Sequence, residues 1–270
     1  MAQARLIETS LSLKVSPLGE RDRLLTVITP GEGVLRLAVP GARRLNSRLG
    51  GAVPLRELGL LVSCGRGSLQ RLTQLQVRHP FAGLGKCLES LAAAQLLAEL
   101  TMLLVQQGEP APANVNLLRL HWQRLDQLAM GEPSQREAVA IAVQGTIHLL
   151  ASGGLALPTG WCSMDQSPLI PPLGHWEWCC SFLPGEGFCR GRHQGAAMTL
   201  NASEMALLQR LQGPALPRRP GDGDLMGPLR VWLRLLRLLR FWIAQHLPRQ
   251  PRSLTLLEQL VAPSTGAAHP

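Results

Sequence analysis

The densest group of residues able to do chemistry lies in one short stretch, Pro40-Gly41-Ala42-Arg43-Arg44-Leu45-Asn46-Ser47-Arg48-Leu49-Gly50-Gly51. Three arginines sit in a segment flanked by glycines. A guanidinium grips a phosphate with two parallel hydrogen bonds, so a loop of this kind can follow a phosphate backbone. Lys14, Arg21, Arg23 and Arg36 precede the loop, and Arg56, Arg66, Arg71 and Arg78 follow it. Residues 1–80 hold 12 Lys and Arg against 5 Asp and Glu. The expected nucleic-acid contacts are Lys14, Arg21, Arg23, Arg36, Arg43, Arg44 and Arg48, with a solvated basic surface as the alternative. The same 80 residues contain no Trp, Tyr or Phe. The usual aromatic platform for unpaired bases is therefore missing. Binding should rest on the phosphates and leave bases largely unstacked, which suits a protein that hands DNA on or lets strands pair.

A second group is Cys162, Cys179, Cys180 and Cys189 with His175 and His193. A zinc ribbon closes a tetrahedron with two Cys-x-x-Cys pairs. Here Cys162-Ser163-Met164-Asp165 and Cys189-Arg190-Gly191-Arg192 each keep only the first member. Cys162, Cys180, Cys189 and His193 form an alternative ligand set, and a metal-free Trp/Cys core is the competing reading. No cofactor is assigned, and zinc is kept as an alternative. The third group is Arg230, Arg234, Arg237 and Arg240, spaced by four, three and three residues among Leu and Trp. That spacing makes one polar stripe on a helix. The stripe reads as the exposed edge of a core helix, with a membrane-surface or acidic-protein adaptor as the alternative.

Catalytic signals are weak. The seven histidines are scattered, and there is no Gly-x-Ser-x-Gly, Walker or dinucleotide motif. No carboxylate pair has a nuclease-like spacing. The expectation is a non-enzyme; a zinc-dependent nucleic-acid enzyme would need an open metal site. The net charge is +9, gathered at the two ends of the chain. A polyanionic partner follows from that distribution. Hydrophobic residues make up 46% of the 270, enough for a real core. No run of apolar residues is long enough to span a membrane, and the first twenty residues, with Glu8, Lys14 and Glu20, lack a secretory pattern. Thiols in a reducing cytosol fit the irregular cysteine spacing.

The elements that must position these groups are legible from periodicity. Residues 5–77 alternate with period two between Gly/Pro punctuation, giving five short strands, the last two over about Val53–Val62 and Leu69–Val77. That is the size of an oligonucleotide-binding (OB) barrel; an SH3-like barrel or a small sandwich has a similar count. From His79-Pro80 the texture turns helical. The spacing predicts helices over 86–107, 113–130, from Ser134 to Gly153 with a Ser134/Glu137 capping box, from Asn201 or Ser203 to Gln212, over 225–247, and a last one capped by Ser253. Residues 155–195 break the pattern with Pro, Gly, Cys and Trp, and those from Pro263 on read as a frayed tail. The fold class is therefore α+β and multidomain. Residues 1–79 form a five-stranded OB-type barrel. Residues 80–270 form a helical domain, interrupted at 155–197 by a ribbon-like insertion.

Several motifs, in this order, resemble the RecO family of bacterial recombination mediators. Glu20-Arg21-Asp22-Arg23-Leu24-Leu25-Thr26-Val27-Ile28-Thr29-Pro30-Gly31-Glu32-Gly33 resembles the family's first hairpin. Gly41-Ala42-Arg43-Arg44 with Ser47-Arg48-Leu49 resembles its basic loop. Leu96-Leu97-Ala98-Glu99-Leu100 resembles its first helix, and His246-Leu247 through Arg252-Ser253-Leu254 its C-terminal element. The resemblance implies an OB domain, a helical domain and a zinc-ribbon-like insertion. It also implies a cytoplasmic, nucleoid-associated DNA repair and recombination protein. Such a protein binds single- and double-stranded DNA and anneals complementary strands. With RecR and the single-strand-binding protein SSB it loads RecA. Asp165 and Arg192 stand where the family's second cysteines would be. The acidic SSB C-terminal tail needs an apolar pocket with a basic rim, and Arg230, Arg234, Arg237 and Arg240 are the basic row available for it.

Overall fold

Five runs of alternating apolar residues close into a barrel in the computed structural model, which describes residues 4–63 and 69–262. The strands are β1 (Ala4–Leu18), β2 (Asp22–Thr29), β3 (Gly33–Val39), β4 (Glu57–Ser63) and β5 (Gln70–His79), in spatial order β1-β2-β3-β5-β4. All neighbours are antiparallel except β3 and β5, which run parallel at Leu37–Gln70 and Ala38–Arg71 and close the barrel. Leu25, Val27, Leu35, Leu37, Val39, Leu58, Leu60 and Leu72 fill the interior.

The fourth strand starts later than the sequence predicts. Residues 53–56 are not extended, because they wrap around Ser12. The Ser12 hydroxyl donates to the Val53 carbonyl at 2.8 Å and accepts from the Arg56 N–H at 2.9 Å. The Leu55 N–H donates to the Ser12 carbonyl at 2.8 Å. Gly65-Arg66-Gly67 and the segment from Pro263 on lie outside the described residues.

A short 3-10 turn at Ala82–Lys86 leads into the helices α1 (Leu88–Leu104), α2 (Pro112–Met130) and α3 (Gln135–Ser152). Their cores interlock around Trp122, fully buried, whose indole N–H donates to the Ala94 carbonyl at 3.1 Å. At the α3 N-terminus the Ser134 hydroxyl accepts from the Glu137 N–H, but the reciprocal half of the expected capping box is absent. The Glu137 carboxylate is held instead by both terminal nitrogens of Arg218.

The Pro- and Cys-rich stretch after α3 is built on a small sheet of β6 (Cys179–Leu183), β7 (Gly187–Arg190) and β8 (Met198–Asn201) in order β7-β6-β8. Its third strand lies just past residue 197 and runs directly into α4 (Ala202–Arg210). Of the two predicted caps it is Asn201 that opens α4, in a complete capping box with Glu204. The long helix α5 (Leu229–His246) begins only after Pro228, and α6 (Arg252–Val261) follows. Trp232 and Trp242 of α5 are buried in the same core as Trp122.

Ser253 does not cap α6. Proline 251, with φ near −60°, sets the entry to the helix, and Ser253 falls inside the first turn. The cap comes from α1: the Ser253 N–H and hydroxyl donate to the two Glu99 carboxylate oxygens at 3.2 and 2.9 Å. A carboxylate at a helix N-terminus satisfies orphan N–H groups and opposes the helix dipole.

Candidate nucleic-acid interface

The loop from Gly41 to Ala52 is folded by what it buries. Ala42, Leu49 and Ala52 pack into the barrel interior. Consecutive turns follow, with N–H donors of Arg44, Ser47, Gly50 and Ala52 bonded to carbonyls of Gly41, Arg44, Ser47 and Leu49 at 3.0–3.2 Å. Gly41 enters the loop with φ +62°, a backbone angle that favours glycine. Its N–H donates to Asp22 at 2.7 Å, and the Arg43 N–H donates to the Arg21 carbonyl at 3.1 Å. The loop is thus tied to the β1–β2 turn. Arg21, Arg43, Arg44 and Arg48 all face solvent, and Leu45 stands fully exposed between them.

Register explains the rest of the basic set. Lys14 pairs with Thr26, and Thr26 with Arg36. Directly opposed residues share a face, so Lys14 and Arg36 project from the outer surface, two strands or about 10 Å apart. Arg23 differs. It lies opposite inward-facing Val39, is half-buried, and reaches the Ala52 carbonyl at 3.5 Å, where it fastens the loop. Among the described residues no carboxylate lies within ion-pair distance of any of the seven predicted cations in the barrel.

Helix α5 treats its arginines differently. The Arg234 Nε meets Glu204 at 2.7 Å, and its Nη2 donates to the Thr199 carbonyl at 2.6 Å. Arg240 meets Glu258 at 2.6 Å and Thr255 at 2.8 Å. Only Arg230 and Arg237 of the row are exposed. Arg230 instead joins Arg210, which sequence reading missed, on the rim of a cavity of about 390 Å³ floored by Ala206, Leu207, Met226 and Val231. Arg210 and Arg230 are twenty residues apart in sequence, so no spacing rule connects them.

The chain matches two family models: Recombination protein O N terminal over residues 5–81 and Recombination protein O C terminal over residues 86–255. The chain belongs to the RecO family. A protein named DNA repair protein RecO from Prochlorococcus marinus (strain MIT 9303) is 52% identical over 94% of this chain and 95% of its own length. The DNA repair protein RecO of Parasynechococcus marenigrum (strain WH8102) is 49% identical over 100% and 97%. That of Synechococcus elongatus is 34% identical over 96% and 97%. Membership makes this chain a DNA repair and recombination protein. It also accounts for two of the sequence motifs at once: the RecO-like first helix and C-terminal element meet at the Glu99–Ser253 hydrogen bonds.

The RecO resemblance also raised zinc, and the ribbon residues do not fit it. Ser181 pairs with Cys189 and Phe182 with Phe188, so Cys189 and Cys180 lie on opposite faces of the sheet. His193 is exposed, its backbone N–H donating to the Ser181 hydroxyl. Arg192 puts a cation where a ligand would stand. Asp165 is engaged by the Cys162 thiol and by Ser167, which hold its pKa down at about 2. Burial pushes the Cys180 thiol up to about 12, with the neighbouring Cys189, Cys162 and Cys179 adding to the shift. Among the described residues no three His, Cys, Asp or Glu side chains are grouped to hold a metal ion. No helix among them is long and apolar enough to cross a membrane.

Proposed function

We propose that this protein binds single- and double-stranded DNA by the phosphate backbone and anneals complementary strands, without catalysing a covalent step. In this reading it works in the cytoplasm, on the nucleoid, with RecR to load RecA onto SSB-coated DNA. The observation that carries it is the Gly41–Ala52 loop, whose Arg43, Arg44 and Arg48 are held in solvent with no carboxylate partner among the described residues. The one bond any of these guanidinium groups makes within the fold runs from Arg43 Nη1 to the Gly19 carbonyl at 3.1 Å. Such a surface neutralises phosphates and releases counterions without reading sequence. The barrel has no Trp, Tyr or Phe to stack a base, so a held strand keeps its bases free to pair. A strand-annealing assay on SSB-coated complementary oligonucleotides tests this. Annealing by the wild type, lost in an Arg43→Ala/Arg44→Ala/Arg48→Ala variant, supports it; equal annealing by both overturns it.

The acidic SSB tail is assigned to the helical domain. The cavity rimmed by Arg210 and Arg230 supports that placement better than the whole α5 row, because Arg234 and Arg240 are engaged inside the fold. Its apolar floor suits a hydrophobic peptide end and its two cations suit carboxylates.

A further inference from the structure

The basic face of the barrel does not end at its own edge. The outer surface of β1 and β2 carries Leu11, Leu13 and Ile28 into the core shared with the helices. Lys14 emerges at the margin of that contact. A cleft of about 570 Å³ opens there, between the barrel, α1 and the segment that precedes α6. Lys14 lines one side, and Arg249 and Arg252 line the other. All three are exposed, and among the described residues none is within ion-pair distance of a carboxylate. Between them lie half-buried Val15, Met102 and Leu103. The cleft has one acid, Glu99, and both of its oxygens are taken by Ser253 at the α6 N-terminus.

We infer that this cleft is a second nucleic-acid contact, holding a single strand as it leaves the barrel. The inference rests on the reading that the barrel binds DNA. Three features favour this occupant. Lys14 belongs both to the Lys14–Arg36 row and to the cleft, so the barrel's basic row reaches the edge of the cleft. Three cations with no internal partner call for a polyanion. The apolar floor contacts a base only when that base is unpaired, so a single strand uses both halves of the cleft and a duplex uses only the rim. The strand lays phosphates on Lys14, Arg249 and Arg252 and bases over Val15, Met102 and Leu103. The path then spans both domains, and its occupied length exceeds what the barrel alone can cover.

The test compares labelled single strands of about 8 and about 20 nucleotides, lengths within and beyond the reach of one OB fold. Wild type, Arg249→Ala/Arg252→Ala and Lys14→Gln are titrated by fluorescence anisotropy over a salt series. The long-to-short affinity ratio should fall about tenfold in the double variant, and its log–log salt slope for the long strand should shrink by about 1.4. Lys14→Gln should shift both in the same direction from the barrel side. An unchanged ratio and slope in both variants, with Arg43→Ala/Arg44→Ala/Arg48→Ala still weakening every strand, overturns the cleft and leaves the DNA reading standing. No binding of either strand by wild type overturns both. A labelled acidic decapeptide that binds wild type and loses affinity in the double variant, with strand binding unaltered, assigns the cleft to a protein and overturns the inference.

Discussion

Between β3 and β4, Arg43, Arg44 and Arg48 stand in solvent beside one another, while on α5 Arg234 and Arg240 each close on a carboxylate from another element. Both segments read as basic surface in sequence. The difference lies in what surrounds them. The loop is held by backbone turns and by three small or aliphatic residues buried beneath it, so its arginines are left in solvent, with one bond from Arg43 to the Gly19 carbonyl. Helix α5 packs on α3, and the arginines at the margin of its buried face meet acids of α4 and α6. Arginine count therefore measures available charge only where the neighbours carry none of opposite sign.

The sharpest way to break this comparison is to remove the loop charges. Arg43→Ala/Arg44→Ala/Arg48→Ala should weaken duplex binding about a hundredfold at low salt and flatten the log–log salt slope by about 2–3 units. Its urea midpoint should stay close to wild type, because the only bond these guanidinium groups make within the fold is the exposed one from Arg43 to the Gly19 carbonyl. An unaltered slope would remove the loop from the footprint.

The next effect comes from acid and acts in the helical domain that carries α5, at a histidine pair on α2 and α3. His148 Nε2 lies 3.0 and 3.2 Å from the carbonyls of Leu211 and Gly213, so it carries the proton and its Nδ1 accepts from His121 Nε2 at 3.1 Å. His121 is buried, and burial, then His148 and Arg124, hold its pKa down at about 3. An unfolded chain binds that proton near pH 6.5 and the folded one does not. Stability contributed here is therefore complete above about pH 6.5 and falls as pH drops toward 3, by at most about 1.4 kcal/mol per unit from His121. Burial lowers His148 as well, in the same direction. Urea melts at pH 7.5 and 5 should show the loss, and His121→Phe should flatten it.

The third effect is smaller and runs opposite to the loop. Glu204 is nearly buried beside a half-exposed Arg234. Arg234→Ala should cost about 1–2 kcal/mol in a urea melt, a reduced value because the arginine side is screened by water. The DNA salt slope should stay as in wild type. Arg230→Glu, at an exposed rim, should leave the melt alone and weaken an SSB-tail peptide about tenfold by anisotropy.

Most of the architecture was legible because turns announced themselves. Pro30-Gly31 and Pro40-Gly41 end strands where glycine and proline permit the chain to reverse. The parallel closure of β3 on β5 was not legible, since pairing between distant strands leaves no local pattern. The Lys14–Arg36 alignment depends on a bulge between Ser12 and Lys14, which shifts register by an amount that alternation alone does not reveal. Ser253 was misread for a comparable reason: a serine near a helix start looks like a cap, and the acceptor that settles its role is 154 positions away in α1. The loop arginines are exposed, as a charged segment flanked by glycines suggests from local sequence alone. The pairing of α5 with Glu204 and Glu258 follows only from tertiary packing.

The placement of aromatic residues has an optical consequence. The chain has no tyrosine, and its first tryptophan is Trp122. Excited at 295 nm, the protein emits only from its helical and ribbon parts, and the barrel is dark. Trp122, Trp232 and Trp242 are shielded, while Trp161 and Trp176 face solvent, so iodide quenches one population and spares the other. The barrel strands carry no emitter of their own and are followed by far-ultraviolet circular dichroism, so the two methods together resolve whether the halves unfold as one. A single tryptophan placed at Leu45 lights the loop against that dark background, where a strand settling on the arginines becomes a change in colour.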